Sequence, residues 1–164
     1  MFSKDGRDVS SPSPVVSRRT ADVRRVRRWK RHPRSVALAR AELRAALRDW
    51  GLAEIEDSAV LVLSELVSNA VRWARAPVGR EIETSFCRGA GGVRIAVDDA
   101  DETRPRLRPG DGTGGRGLAL VEELSSRWGV QSRRGVGKSV WAVVTVPGGT
   151  WMAPWDGHNR RESL

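Results

Sequence analysis

The sequence is poor in cysteine and in long apolar segments. Cys87 is the only cysteine among 164 residues, which excludes a disulfide framework or a cysteine-rich metal site within one chain. A single thiol is typical of a reducing compartment. No apolar run approaches the roughly 20 residues that a membrane span needs, and the first residues, MFSKDGRDVSSPSP, lack a hydrophobic signal segment. We therefore expect a cytoplasmic protein that is neither membrane-spanning nor secreted.

Acidic residues are scarce at the start of the chain. Residues 1–34 contain eleven Lys or Arg and three Asp or Glu, whereas residues 35–164 contain eighteen and seventeen, so most of the net charge of +9 belongs to the first segment. We expect a disordered basic arm over 1–34, a folded domain over 35–146 and a tail over 147–164. The basic run at 18–34 is either a solvated extension or an arm that binds nucleic acid or an acidic partner.

The tripeptide Gly137-Lys138-Ser139 looks like the end of a phosphate-binding P-loop, but its surroundings exclude that interpretation. A P-loop has a glycine five residues before its Gly-Lys pair, and Ser132 occupies that position. It also needs a helix after the lysine, whereas the following VWAVVTV is strand-forming. A nucleotide must therefore be held by other residues.

Hydrophobic periodicity predicts alternating groups of helices and strands. Helices are expected at 35–51, 57–75 and 117–128, and strands at 80–88, 93–97, 129–134 and 138–146. This order predicts an α+β fold, a two-layer sandwich in which helices pack on one face of a mixed β-sheet.

The second predicted helix has a polar pair on one side. Glu65 and Asn69 are four residues apart, so they project from adjacent turns, and they border an apolar stripe that contains Leu61, Val62 and Leu66. A carboxylate and a carboxamide in this arrangement can share a hard cation such as Mg²⁺ and its waters. A solvent-edge pair on an amphipathic helix would have the same spacing, so the spacing alone does not decide.

Two further segments carry groups suited to a nucleotide. The stretch VDDAD (97–101) places carboxylates at the end of a strand, where one can accept a hydrogen bond from an exocyclic amine such as adenine N6. The stretch GDGTGGRG (110–117) has five glycines before a helix, which lets main-chain N–H groups approach phosphate oxygens. An acidic loop and a flexible linker are the respective alternatives.

The order and spacing of these segments resemble the GHKL superfamily, which includes gyrase and the histidine kinases. Its N box resembles ELVSNAV (65–71), its G1 box VDDAD (97–101), its G2 box GGRGLALV (114–121) and its closing strand element GKSVWAVV (137–144). The resemblance covers about residues 35–146. Within the superfamily, the spacing is similar to that of the small anti-sigma-factor serine/threonine kinases.

The resemblance implies roles for single residues. Asn69 would ligate a Mg²⁺ ion that bridges the phosphates of ATP. Glu65 would act as the general base, or would orient a water or hydroxyl for attack on the γ-phosphate. Asp99, rather than Asp98, would accept the hydrogen bond from adenine N6, and Ser139 would contribute near the adenine. The remaining nucleotide-binding positions lie in the G2 box: Gly114, Gly115, Arg116, Gly117 and Leu118.

A mobile ATP lid is implied at 102–114. Its arginines either meet phosphates on closure or belong to a solvated loop: Arg104, Arg106 and Arg108. Two positions depart from the family pattern. Asp101 replaces a small residue and adds negative charge near the purine, and Trp73 stands where relatives commonly have histidine.

The resemblance implies ATP and Mg²⁺ as ligands and phosphoryl transfer as the reaction. His32 lies in the basic arm and His158 in the tail, so neither is suited to accept a phosphoryl group. We therefore expect transfer to serine or threonine, with a sigma factor and its antagonist protein as partners and homodimer formation left open. The alternatives are a nucleotide-gated module that grips a partner without catalysis, and a nucleic-acid-binding protein.

Overall fold

The structure is a computed structural model that describes residues 23–73, 79–105 and 116–152. Its elements follow in the order β1 (Arg24–Lys30), α1 (Arg34–Asp49), a 3-10 turn (Ala53–Ile55), α2 (Glu56–Trp73), β2 (Glu81–Gly89), β3 (Gly92–Asp99), α3 (Arg116–Leu124), β4 (Arg127–Ser132) and β5 (Lys138–Thr145). The predicted helices and strands are all present within a few residues of their expected bounds, and β1 is additional.

The described strands form one sheet in the order β1-β2-β3-β5-β4. The predicted α+β class is confirmed, because α2 packs on β3 and β5 while α1 packs on β1 and β2. The sheet is antiparallel in all four of its pairings rather than mixed. Two of these pairings, β2–β3 and β4–β5, join strands that follow each other through short turns, and such hairpins are antiparallel.

One face of the sheet forms the core together with the helices. Phe86 of β2, Ile95 of β3 and Ala142 of β5 are cross-strand neighbours, and all three are buried. The helices add fully buried side chains to this layer: Leu43, Leu47, Val62, Leu63 and Val67. Because side chains alternate along a strand, Asp99 and Lys138 lie on this same face, at the end of their strands.

Strand β1 lies in the segment for which the sequence predicts a disordered arm. Arg24–Lys30 pairs with β2 along its whole length. Trp29 anchors the strand, since its ring packs against the core and its Nε1 donates a hydrogen bond to Thr84 Oγ1 at 2.9 Å. The folded domain therefore begins before residue 35, and residues 1–22 lie outside the described part of the chain.

The positive charges of β1 have acidic partners within the domain. Arg25 forms ion pairs with Glu42 and Asp49 of α1, and Arg28 forms one with Glu83 of β2 at 3.0 Å. A run of arginines usually marks a solvated segment, but here alternate arginines face α1. The carboxylates around β1 thus offset part of the charge that suggested an arm.

The segment after β5 packs on the sheet face opposite the helices. A side chain at Gly89 would collide with Trp151 and with the carbonyl oxygen of Met152. The Arg127 guanidinium lies over the Trp151 ring, 5.6 Å from its centroid. The expected tail therefore contributes contacts to the domain as far as Met152, and residues 153–164 lie outside the described ranges.

Candidate nucleotide-binding site

The glycine-rich element and the polar pair of α2 are in contact. Glu65 and Asn69 lie on adjacent turns of α2, both half-buried, and α3 packs against α2 with Gly117 in its first turn. A Cβ added to Gly117 would lie 2.5 Å from Glu65 Oε2 and 3.8 Å from Asn69 Nδ2. Because the lack of a side chain lets the backbone of α3 lie directly against the Glu65 carboxylate, two of the three predicted clusters meet at this point.

Leu118 follows Gly117 and has a different part in the site. Its side chain is buried, as is that of Val121 one turn later. Hydrophobic burial of this kind fixes α3 against the rest of the core. Burial therefore gives the Leu118 side chain a packing role at the start of α3.

The third cluster is a buried ion pair between β3 and β5. Asp99 and Lys138 are cross-strand partners, and Lys138 Nζ donates a hydrogen bond to Asp99 Oδ1 at 3.0 Å. The same nitrogen donates to the carbonyl oxygen of Asp101 at 2.9 Å, while the Asp101 N–H donates to Asp99 Oδ1 at 2.9 Å. The side chain of Asp99 is 4% exposed and that of Lys138 is 10% exposed. Asp99 is thus held rigidly at the end of the sheet.

Two opposing effects act on the Asp99 carboxyl group. Burial raises its pKa above the ordinary value, because the charged form loses its hydration. The hydrogen bonds from Lys138 and from the Asp101 N–H oppose this rise, since both favour the carboxylate. The negative charge of Asp101 also raises the pKa of Asp99, but it is accompanied by the Lys138 ammonium, which acts in the opposite direction.

Gly137 sets the distance between the two strands at this end of the sheet. Its φ is +104°, and a Cβ there would overlap the Asp99 carbonyl oxygen. The left-handed backbone and the lack of a side chain are both needed for β5 to start directly beside Asp99. The GKS tripeptide therefore places a lysine next to the carboxylate, and it does not form a phosphate loop.

Ser139 does not lie beside Asp99. It pairs with Asp98 across the strands and belongs to the face opposite Lys138. Alternate residues of β5 are buried and face the core, namely Lys138, Val140, Ala142 and Val144. Lys138 is the polar residue among them. The sequence interpretation did not identify Lys138. It could have been found from the alternation of side chains along a strand, because Lys138 is an even number of residues from the apolar core positions of β5.

Asp98 lies on the sheet face opposite Asp99. This agrees with the expectation that Asp99, rather than Asp98, accepts the hydrogen bond from adenine N6. Its carboxylate lies 3.5 Å from Nε of Arg133 in the turn between β4 and β5. Adjacent residues of a strand point to opposite faces, so only one of the two aspartates can share the face of α2. Asp99 is that residue.

Part of the predicted site falls outside the described residues. Gly114, Gly115 and the lid positions from 106 onward are not described, nor are the side chains of Arg116 and Trp73. Arg104 is exposed. It lines a cavity of about 300 Å³ together with Lys138 and the β4–β5 turn. That cavity includes neither Asp99 nor the α2 pair, so we place it beside the predicted nucleotide site rather than within it.

The fold places a polar pair of α2 against a glycine at the start of α3, and it places a buried carboxylate on the sheet face that the helices cover. These are features of a nucleotide-binding domain. The family model described as a histidine kinase-like ATPase domain matches residues 30–144. The chain belongs to this family, and ATP is the ligand that the family implies. No curated protein matches the sequence significantly. None of the helices in the described ranges combines the length and apolarity that crossing a bilayer requires.

Proposed function

We propose that this protein is an ATP-dependent kinase that phosphorylates serine or threonine on a partner protein, of the type that restrains a sigma factor and is countered by an antagonist protein. The observation that supports this most directly is the contact of Gly117 with the Glu65–Asn69 pair. Phosphoryl transfer depends mainly on positioning and on stabilising charge. A carboxylate, an amide and a helix N-terminus at one point provide suitable groups for both.

Glu65 is the general base in this proposal. Its Oε2 lies against the first turn of α3, where the phosphates would meet main-chain N–H groups. The attacking hydroxyl oxygen forms a bond to the γ-phosphorus, the bond to the β–γ bridging oxygen breaks, and Glu65 accepts the hydroxyl proton. ADP leaves with the bridging oxygen.

Asn69 and Glu65 also fit the ligand preferences of Mg²⁺. Amide and carboxylate oxygens are hard donors, and Mg²⁺ commonly combines one or two protein ligands with phosphate oxygens and waters. Within the described residues, no group of three or more His, Cys, Asp or Glu side chains could hold a metal. When bound, the ion would neutralise charge on the phosphates, and Asn69 is the residue that we expect to hold it.

A transfer assay tests the kinase proposal. The protein would be incubated with γ-phosphate-labelled ATP, Mg²⁺ and extract of its own cell type, and labelled proteins would be analysed for phosphoserine and phosphothreonine. We expect wild type to label such a residue and Glu65→Gln to lose transfer while retaining ATP binding. Glu54→Gln is the matched control, since Glu54 is exposed in the 3-10 turn and should leave transfer unchanged.

The same assay separates catalysis from gated binding. If wild type binds ATP and a partner but labels nothing, the protein is a nucleotide-gated module and the kinase proposal is overturned. Asn69→Ala sharpens the distinction, because it should abolish transfer by a kinase yet leave Mg²⁺-independent partner binding intact. We propose a sigma factor and its antagonist as the partners and the cytoplasm as the location, and homodimer formation stays open.

Nucleic-acid binding is a weaker candidate. Arg25, Arg27 and Arg28 each have a carboxylate partner in the domain. Phosphate binding would have to compete with those ion pairs, although exposed pairs of this kind contribute little free energy. A salt titration of DNA affinity would show a slope only if these arginines, or those before residue 23, meet phosphates.

A further inference from the structure

The ion pair of Asp99 and Lys138 has unused hydrogen-bonding capacity. Both hydrogen bonds to the Asp99 carboxylate go to Oδ1, one from Lys138 and one from the Asp101 N–H. Oδ2 accepts none from the described residues. Lys138 Nζ has three N–H groups and two acceptors there, Asp99 Oδ1 and the Asp101 carbonyl oxygen, so one N–H remains.

The free oxygen also keeps a small exposed surface. Among the described residues, the enclosed side-chain polar atoms that lack a hydrogen-bond partner are the indole nitrogens of Trp141 and Trp151. Asp99 Oδ2 is not one of them, so it is not fully enclosed. The pair therefore offers one acceptor and one donor side by side, at a place where desolvation makes unsatisfied groups costly.

This donor–acceptor couple matches the Watson–Crick edge of adenine. That edge presents an N6–H donor next to the N1 acceptor, and proteins read base edges through such paired hydrogen bonds. We propose that Lys138 is a base-reading residue of the site, its ammonium donating to adenine N1 while Asp99 Oδ2 accepts from N6. This inference rests on the proposed ATP binding and adds the residue that recognises the second atom of the base.

The backbone holds Lys138 in a position suited to this role. Gly137 brings β5 against Asp99, and the strand register places Lys138 directly opposite the carboxylate. The Lys138 ammonium occupies Oδ1 only, so it orients the carboxylate without covering Oδ2. A hydrogen bond from an ammonium is stronger than one from a neutral donor, which makes N1 a strong determinant of affinity.

Two ligands and two variants test the role. Dissociation constants would be measured by calorimetry for ATP and for an analogue in which purine N1 is replaced by C–H. Wild type should bind ATP about tenfold more tightly than the analogue, as expected for a hydrogen bond from a charged group. In Lys138→Met, which keeps an unbranched side chain, the ratio of the two constants should fall to near unity. Lys138→Arg should keep most of the ratio.

The ratio of the two dissociation constants shows whether Lys138 contacts adenine N1 or only positions Asp99. If Lys138 only positions Asp99, Lys138→Met weakens both ligands equally and the ratio stays, which overturns the inference. A gain in ATP affinity in Lys138→Met would show that the lysine blocks the base, and this result would overturn the inference as well. Should Lys138→Met fail to fold, equal binding of both ligands by wild type still refutes the role. Binding of neither ligand by wild type would refute the proposed function itself.

Discussion

Trp29 Nε1 and Thr84 Oγ1 are joined by a hydrogen bond of 2.9 Å that links the edge strand β1 to the core strand β2. Thr84 has no exposed surface, so its hydroxyl depends on protein partners. This bond therefore connects the segment that looked like an arm to the interior of the domain.

A double-mutant cycle should detect this link. Trp29→Phe removes the donor and Thr84→Val removes the acceptor, and each should lower the free energy of unfolding because it leaves the other group without its partner. We expect a coupling free energy of about 1 kcal/mol between the two sites, measured by urea unfolding. Additive effects of the two substitutions would show that the bond contributes nothing.

The close approach of Gly137 to Asp99 can be measured against a glycine nearby. Gly135 and Gly137 both have positive φ, but a Cβ at Gly135 meets nothing within 4 Å. Gly135→Ala should therefore cost only backbone strain, about 1–2 kcal/mol. Gly137→Ala adds a collision with backbone and should cost at least about 3 kcal/mol in urea unfolding. Equal losses would contradict the proximity of the two strands.

Gly117→Ala should separate site geometry from stability. The new methyl group would press on Glu65 Oε2, the end of a flexible side chain, so the fold can adapt while the carboxylate moves. We expect ATP affinity to fall about tenfold with little change in thermal unfolding, since alanine also favours the helix. Ala119→Gly, at an exposed position of α3, should reduce stability and leave affinity unchanged. An unaltered affinity in Gly117→Ala would argue against a nucleotide at this point.

Cys87 gives a prediction about pH. Burial raises the pKa of its thiol to about 11 from an ordinary value of 9.0, although Arg24 and Arg94 act to lower it. In the unfolded chain the thiol ionises first, so the free energy of unfolding should fall as pH rises from 9.0 to about 11. The loss is at most roughly 2–3 kcal/mol.

Comparison with Cys87→Ala isolates this contribution. The sequence has no tyrosine, which removes one group that would otherwise titrate in the same range. The difference in stability between wild type and Cys87→Ala should shrink as pH rises through this window and be constant below it. Iodoacetamide should also modify native Cys87 about a hundredfold more slowly than the unfolded chain at pH 8. A pH-independent difference would show that the thiol has an ordinary pKa.

The family resemblance implied the convergence of Glu65, Asn69 and Gly117, whereas helical spacing alone accounts only for the first two residues lying on one face of α2. What could not be predicted is which group the glycine touches, because that depends on how α3 packs against α2. The contact with Glu65 Oε2 is a tertiary fact.

Lys138 and β1 show where reasoning from residue type fails. Lysine is rarely buried without a partner. A lysine at the start of a strand is therefore predicted to be exposed until its carboxylate partner is known. The arginines of Arg24–Lys30 read as a solvated run for the same reason. In both cases the charge is accommodated by acids that are distant in sequence, namely Asp99 for Lys138 and the carboxylates of α1 for Arg25.

The packing of Trp151 on the sheet face opposite the helices affects how the domain should be expressed. Trp151 lies seven residues beyond the end of the family match, yet it fills the space over Gly89 and stacks with Arg127. A shortened protein that stops at the final strand would uncover apolar surface next to an edge of the sheet, and such surfaces promote self-association. A protein expressed for study should therefore extend past Met152 and should not end at residue 144, where the family match ends.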